Sequence, residues 1–107
     1  MTKAIRFDRT GGPEVMKWVD VDVGKPGEGE IRIRQHAVGL NYIDVYFRTG
    51  LYPLPLPGGL GMEAAGEVTE VGAGVTDVKV GERVAYVARP PGAYAQERVL
   101  PAAPLVL

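Results

Sequence analysis

The 107-residue sequence contains neither cysteine nor serine, and it has a single histidine, His36. Without cysteine the chain can form no disulfide, no thiolate metal site and no thiol nucleophile. No plausible catalytic base lies near Thr10, Thr49, Thr69 or Thr76 in the sequence. The sequence therefore offers no candidate nucleophile. Catalytic zinc needs three protein ligands, so we interpret His36 as a surface or packed strand residue and predict no metal site.

Long apolar runs and a strong excess of charge are also missing. No stretch approaches the roughly 20 apolar residues that cross a bilayer, and the N-terminus has no apolar segment typical of a secretory signal. The formal net charge is -1, whereas a dedicated nucleic-acid binder usually has a basic stripe. We therefore expect a soluble, cytoplasmic protein without a membrane or nucleic-acid partner.

What the sequence does contain is typical of one globular domain spanning residues 1–107. Hydrophobic residues make up 46% and charged residues 23% of the chain, which is an ordinary globular composition. Its 15 glycines and 9 prolines indicate many turns between short strands. The apolar, proline-containing end from Leu100 to Leu107 suggests a cut just before another element, or alternatively a final edge strand.

Residue patterns predict a mainly β domain with one short helix, arranged as a partly closed barrel or a sandwich. Asn41 as N-cap and Asp44 in the first turn predict a helix over Tyr42–Thr49 that ends at Gly50. The prolines and glycines of Leu51–Gly61 predict a long irregular loop. The predicted strands are Lys3–Asp8, Val15–Val23, Glu30 to Ala37 or Val38, Ala64–Val71, Val84–Val87 and Ala93–Leu100.

The stretch Gly72–Asp77 begins like a dinucleotide-binding glycine motif but does not complete it. Asp77 occupies the third glycine position, and no amphipathic helix follows, although the motif requires one to meet the pyrophosphate. Gly72 and Gly74 are therefore interpreted as turn residues. The sequence predicts that this chain cannot hold a dinucleotide in the Rossmann manner.

Amide and phenol side chains cluster around the predicted helix, at Asn41, Tyr42, Tyr46 and Tyr52. Tyr42 and Tyr46 are four residues apart and share a helix face. A phenol can donate a hydrogen bond to a carbonyl oxygen that gains negative charge, and it can stack on flat rings. The alternative interpretation of the cluster is core packing combined with a helix cap.

The stretch from Val38 to Pro53 resembles the zinc-free quinone oxidoreductases of the medium-chain dehydrogenase/reductase superfamily, which include the zeta-crystallin-like enzymes. The stretches Gly11–Val15, Gly61–Val68, Val71–Val75 and Val80–Val84 are similar to the GroES-like domain of that superfamily. Zinc-containing relatives have a cysteine where this chain has Asn41 and a histidine where it has Met62. The resemblance implies a GroES-like, partly closed β-barrel without metal.

The resemblance also implies a function and a set of site residues. The implied reaction is hydride transfer from NADPH to a quinone or an electron-poor enone, with the cofactor held mostly by a Rossmann domain that this chain lacks. Tyr46, Tyr52 and Asn41 would be catalytic. The implied cofactor-binding residues are Asn41, Tyr42, Ile43, Asp44, Val45 and Tyr46.

Two expectations follow from that resemblance, and two alternatives remain open. The full-length form is expected to be a homodimer, and the isolated 107-residue chain is expected to be inactive. A reductase of enones or enoyl thioesters is an alternative within the superfamily. A non-catalytic GroES-like binding module, with Leu51–Gly61 as its contact loop, is an alternative from another class.

Overall fold

The computed structural model describes residues 2–107 and is mainly β with one short α-helix, as the sequence predicts. The α-helix, α1, spans Tyr42–Thr49, and a 3-10 helix spans Pro13–Val15. The strands are β1 (Thr2–Phe7), β2 (Lys17–Val21), β3 (Glu30–Val38), β4 (Gly58–Gly59), β5 (Glu63–Val71), β6 (Arg83–Val87) and β7 (Glu97–Pro101). Within residues 2–107, no helix has the length and apolar character that a membrane crossing requires.

The strands form two antiparallel sheets that meet along one seam. One sheet has the strand order β2-β1-β4, and the other has the order β6-β5-β3-β7. At the seam the Ile5 backbone N–H donates to the Tyr94 carbonyl oxygen at 2.8 Å, and the Gln96 N–H donates to the Lys3 carbonyl at 2.9 Å. The sheets are joined without closing into a ring, which confirms the predicted partly closed barrel.

Two apolar clusters fill the interior. The four-stranded sheet contributes Ile31, Ile33 and Val68, each fully buried, to the larger cluster. The second cluster lies under α1 and includes Phe7, Val15, Phe47, Leu60 and Met62. Phe47 is the residue of α1 that belongs to this second cluster, and it fixes the helix against the sheets.

The pairing of β3 with β5 brings the start of α1 beside the start of β5. Gly66 lies where the two strands are too close for a side chain, because a β-carbon there would be 2.2 Å from the Arg34 carbonyl oxygen. At the end of the pairing, the Gly39 N–H donates to the Glu63 carbonyl at 3.1 Å. The segment that leads into α1 is thereby held next to Glu63.

Two predicted strands and the predicted loop differ from the structure. The predicted strand Val15–Val23 is wrong at both ends: it spans only Lys17–Val21, and the chain first forms the 3-10 helix. The last strand begins at Glu97 rather than Ala93, because residues 93–96 turn to make the seam, with the Ala95 N–H donating to the Ala93 carbonyl at 2.8 Å. The predicted irregular loop Leu51–Gly61 contains the short strand β4, which pairs with the edge of β1.

Candidate active site

The N-terminus of α1 has the predicted capping arrangement. Asn41 is the N-cap, with an extended backbone at φ -127°. The Asn41 backbone N–H donates to Oδ2 of Asp44 at 3.1 Å, while the Asn41 side chain faces the Asp44 N–H in a capping box. At the other end Gly50 has φ 89°, a left-handed conformation that glycine adopts without strain. The predicted bounds of the helix and both of its caps are confirmed.

Asp44 joins three parts of the chain from a buried position. Asp44 is only 3% exposed. Besides the Asn41 N–H, it accepts hydrogen bonds from the Gly61 N–H at 3.1 Å and from the Tyr94 hydroxyl at 2.7 Å. Burial, together with the hydrogen bond to the Asp44 carboxylate, raises the pKa of Tyr94. The carboxylate thus ties α1 to the end of the proline-rich loop, and contact between Asp44 and a cofactor stays a prediction.

The three predicted site tyrosines form a continuous aromatic row on the surface. The ring centroids of Tyr42 and Tyr46 are 5.5 Å apart, and those of Tyr46 and Tyr52 are 5.3 Å apart. Tyr42 is 73% exposed and Tyr52 is 41% exposed. Phe47 continues the row into the core, with its ring 5.9 Å from that of Tyr52. The sequence anticipated the Tyr42–Tyr46 pair from helical spacing, and the fold adds Tyr52 to it.

The position of Tyr52 depends on how α1 ends. Its backbone N–H donates to the Tyr46 carbonyl at 3.2 Å, so the chain turns back on the helix directly after Gly50. Among the hydrogen bonds of residues 2–107, none engages the hydroxyls of Tyr42, Tyr46 or Tyr52. These phenols are therefore able to donate to a bound molecule.

Asn41 lies beside this row with its side-chain amide oriented. Nδ2 of Asn41 donates to Oε2 of Glu63 at 2.9 Å. An ionised carboxylate has only acceptors, so the amide nitrogen, which has two N–H donors, must face it. One N–H of Asn41 is thus committed to Glu63, and the second remains for another acceptor.

The remaining predicted residues have more ordinary environments. Ile43 is half-buried and packs against the cluster that contains Phe47, and Val45 is also half-buried. Met62 packs in the same apolar cluster. Within residues 2–107, no group of three or more histidine, aspartate or glutamate side chains could hold a metal ion.

The chain matches a known family of domains over most of its length. The family model described as the alcohol dehydrogenase GroES-like domain matches residues 27–106. The chain belongs to this family. The match covers α1, the whole four-stranded sheet and all the site residues described above, and it confirms the expected GroES-like fold.

The relatives of this GroES-like domain include quinone oxidoreductases and a 2-haloacrylate reductase. It is 54% identical to the quinone oxidoreductase of Pseudomonas aeruginosa, over 94% of this chain and 31% of the relative. It is 47% identical to the 2-haloacrylate reductase of a Burkholderia species, over 99% of this chain and 33% of the relative. The crystal structure of Escherichia coli quinone oxidoreductase complexed with NADPH matches with a TM-score of 0.95 and 44% identity, over 98% of this chain and 32% of that one. The chain thus spans about a third of the length of the relatives it matches.

Sequence reasoning missed three residues around the site of this GroES-like domain. Glu63 accepts a hydrogen bond from the Asn41 amide, although the two residues are 22 positions apart in the sequence. Tyr94 donates a hydrogen bond to Asp44, which is 50 positions away. The Arg89 guanidinium lies over the Phe47 ring, 5.8 Å from its centroid, and brings an exposed positive charge near the aromatic row. Neither periodicity nor capping rules reach partners this distant, and only the motif Gly61-Met62-Glu63 drew attention to one of them.

Proposed function

We propose that this domain is the substrate-side catalytic part of an NADPH-dependent quinone oxidoreductase. The observation that carries the proposal is the exposed row of Tyr42, Tyr46 and Tyr52 beside the oriented Asn41 amide. The names of the Pseudomonas aeruginosa and Escherichia coli relatives support the substrate class and the cofactor. A row of tilted aromatic rings with free hydroxyls suits a flat molecule that carries carbonyl oxygens.

The chain's own residues would bind and polarise the quinone. The rings of Tyr46 and Tyr52 would line its pocket, and their hydroxyls would donate hydrogen bonds to a carbonyl oxygen as negative charge develops on it. The same phenols would pass a proton to that oxygen. Because these groups are held by α1 and by the turn after Gly50, they need little reorganisation during the reaction.

The residues present also fit the nicotinamide half of NADPH, which supplies the hydride when it is bound. The segment from Asn41 to Tyr46 offers an amide N–H and an exposed aromatic face, which are groups that recognise an amide-bearing flat ring. In this assignment Asn41, Tyr42 and Tyr46 touch the ring from the surface of α1. The half-buried Ile43 and Val45 and the buried Asp44 would support it from the interior side.

The pyrophosphate and the adenosine part of NADPH would be held by a second, Rossmann-type domain. The relatives are about three times as long as this chain, which leaves room for such a domain. An open, mostly apolar groove of about 590 Å³ lies next to the site and includes Val38, Ala65, Val87 and Val106. Docking of a second domain there would bury these side chains beside Asn41. Homodimerisation and a cytoplasmic location of the full-length form belong to the same proposal.

Reduction of an activated alkene is a second candidate, favoured by one observation. The 2-haloacrylate reductase of the Burkholderia species is 47% identical to this chain over nearly all of it. An acrylate, like a quinone, accepts a hydride at a carbon conjugated to a C=O group, so the same phenols would stabilise the developing negative charge. The two candidates differ in substrate and not in the roles of Tyr46 and Tyr52.

A chimeric protein, called the chimera below, provides the test. Residues 2–107 replace the matching region of the Pseudomonas aeruginosa relative, and NADPH oxidation is measured with a small quinone and with 2-chloroacrylate. We expect quinone-dependent oxidation by the chimera and no appreciable turnover by the 107-residue chain alone. Activity restricted to 2-chloroacrylate would select the second candidate. A chimera that binds NADPH but turns over neither substrate would contradict both candidates.

A further inference from the structure

The exposed Glu63 side chain lies folded against a neighbouring segment of the chain. Glu63 begins β5 directly after the buried Met62, its backbone carbonyl accepts from the Gly39 N–H, and its side chain turns back over Gly39. A β-carbon on Gly39 would lie 2.5 Å from both Cγ and Cδ of Glu63. The carboxylate therefore occupies the space that any larger residue at position 39 would fill.

The position of the Glu63 side chain matters because it brings the carboxylate into contact with Asn41. The Glu63 carboxylate reaches Nδ2 of Asn41 at 2.9 Å, while the other branch of the amide faces the Asp44 N–H. The amide nitrogen of Asn41 is thus engaged, and a flipped amide would place its oxygen against the Glu63 carboxylate. Two oxygen acceptors in contact repel each other, so the carboxylate selects one of the two amide orientations.

We propose that Glu63, in space left free by Gly39, is a positioning residue that fixes the Asn41 amide so that its second N–H is offered to the bound molecule. The role of the second N–H rests on the proposed function, whereas the Glu63–Asn41 contact does not. Gly39 is required for its lack of a side chain and not for its backbone conformation. Met62 and Glu63 then have separate tasks, since one packs the core and the other orients the site.

The contact is tested in the 107-residue chain by the NMR signals of the Asn41 side-chain amide. The two protons of an amide bonded to a carboxylate should be well separated in chemical shift and exchange slowly with water. Glu63→Ala and Gly39→Ala should both move these signals towards those of a free asparagine, the second by pushing the carboxylate away while its charge remains. Glu63→Gln keeps an acceptor oxygen but can also donate to a flipped amide, so it should move these signals less than Glu63→Ala does.

Two matched controls and one double variant sharpen the result. Gly12→Ala also forces a β-carbon to 2.5 Å from an exposed glutamate, Glu14, and Glu67→Ala removes another carboxylate of β5, the partner of Arg34. Neither should change the Asn41 signals. In Gly39→Ala/Glu63→Ala the crowding is gone, so its signals should match those of Glu63→Ala alone, which separates displacement of the carboxylate from a fault in folding.

The positioning role is tested in the chimera. Loss of one hydrogen bond that orients the amide should lower kcat/KM for NADPH by roughly two- to tenfold in Glu63→Ala and in Gly39→Ala. Glu63→Gln should have a kcat/KM between those of the parent and Glu63→Ala, because a hydrogen bond to the amide remains possible while the orientation is no longer selected. Unchanged Asn41 signals in Glu63→Ala would overturn the contact whatever the activity. Altered signals with unchanged kcat/KM would overturn the positioning role, and an inactive chimera would instead count against the proposed function, leaving the NMR result to decide the contact.

Discussion

At the scale of single residues, Asp44 shows how stability and site geometry depend on the same side chain. Its three donors come from the helix cap, from Gly61 and from Tyr94. The sequence predicted its place in the first turn of α1, because capping rules use residues three apart. It could not predict the other two donors, because they are 17 and 50 residues away in sequence.

Replacing Asp44 by asparagine should destabilise the chain measurably. The amide would present N–H groups to backbone and phenol donors that now meet a carboxylate, which leaves buried donors unsatisfied. We expect the free energy of unfolding to fall by about 2–3 kcal/mol in urea denaturation. Asp77→Asn, at an exposed turn, is the control and should change it by less than about 0.5 kcal/mol. A loss as small as the control's would contradict the role of Asp44.

Tyr94 gives a prediction about pH. Its pKa is raised in the folded state from 10.0, first by burial and then by the Asp44 hydrogen bond. Above about pH 10 the unfolded phenol loses its proton while the folded one keeps it, so the free energy of unfolding should decrease as pH rises. Tyr94→Phe should have a shallower decrease between about pH 9 and pH 11 in urea titrations. Burial also raises the pKa of Tyr86, so this residue should account for part of the slope that remains. Equal slopes in the parent and Tyr94→Phe would contradict the assignment to Tyr94.

Tyr46 tests the chemistry assigned to the aromatic row. Tyr46→Phe keeps the ring and removes the hydroxyl, so in the chimera we expect kcat to fall by about tenfold or more with a quinone substrate. Tyr42→Phe, at a residue assigned only to stacking, should change kcat by less than about twofold. Equal kcat values for the parent and Tyr46→Phe would show that this phenol neither polarises nor protonates the substrate.

At the scale of secondary-structure elements, local rules predicted α1 well and the last strand poorly. The cap at Asn41 and the left-handed Gly50 are short-range features, and both ends of the helix were correct. The start of β7 and the existence of β4 depend on partners elsewhere in the chain. Residues 93–96 make the seam with β1, and Gly58–Gly59 pairs with β1 only because the loop folds back. Such pairings have no local sequence pattern.

The contact between β3 and β5 is the element-scale feature that places Glu63 beside Asn41. Gly66→Ala should disturb it, because the new β-carbon would be 2.2 Å from the Arg34 carbonyl and 2.9 Å from Cα of Gln35. Backbone atoms cannot move aside as a side chain can, so we expect a loss of about 2–3 kcal/mol in the free energy of unfolding. Gly12→Ala, which meets only the flexible Glu14 side chain, should cost less than about 0.5 kcal/mol. Similar losses in both variants would contradict the close approach of the strands.

At the scale of the whole molecule, two sheets and two apolar clusters support a site on one face. The seam joins the sheets, Phe47 fixes α1 to the second cluster, and the aromatic row and Asn41 are left facing outward. The sequence predicted this architecture in outline from strand patterns and from family resemblance. It also predicted that Gly72–Asp77 is a turn rather than a dinucleotide motif, and in the structure this stretch lies in the connection between β5 and β6.

The most direct test of the proposed function is the rate of NADPH oxidation with a small quinone, measured for the chimera and for the 107-residue chain under the same conditions. We predict turnover by the chimera, a decrease of about tenfold or more in its Tyr46→Phe variant, and no appreciable turnover by the isolated chain. Robust activity of the isolated chain would contradict the need for a second domain. A folded, NADPH-binding chimera without quinone-dependent activity would contradict the assignment of the site itself.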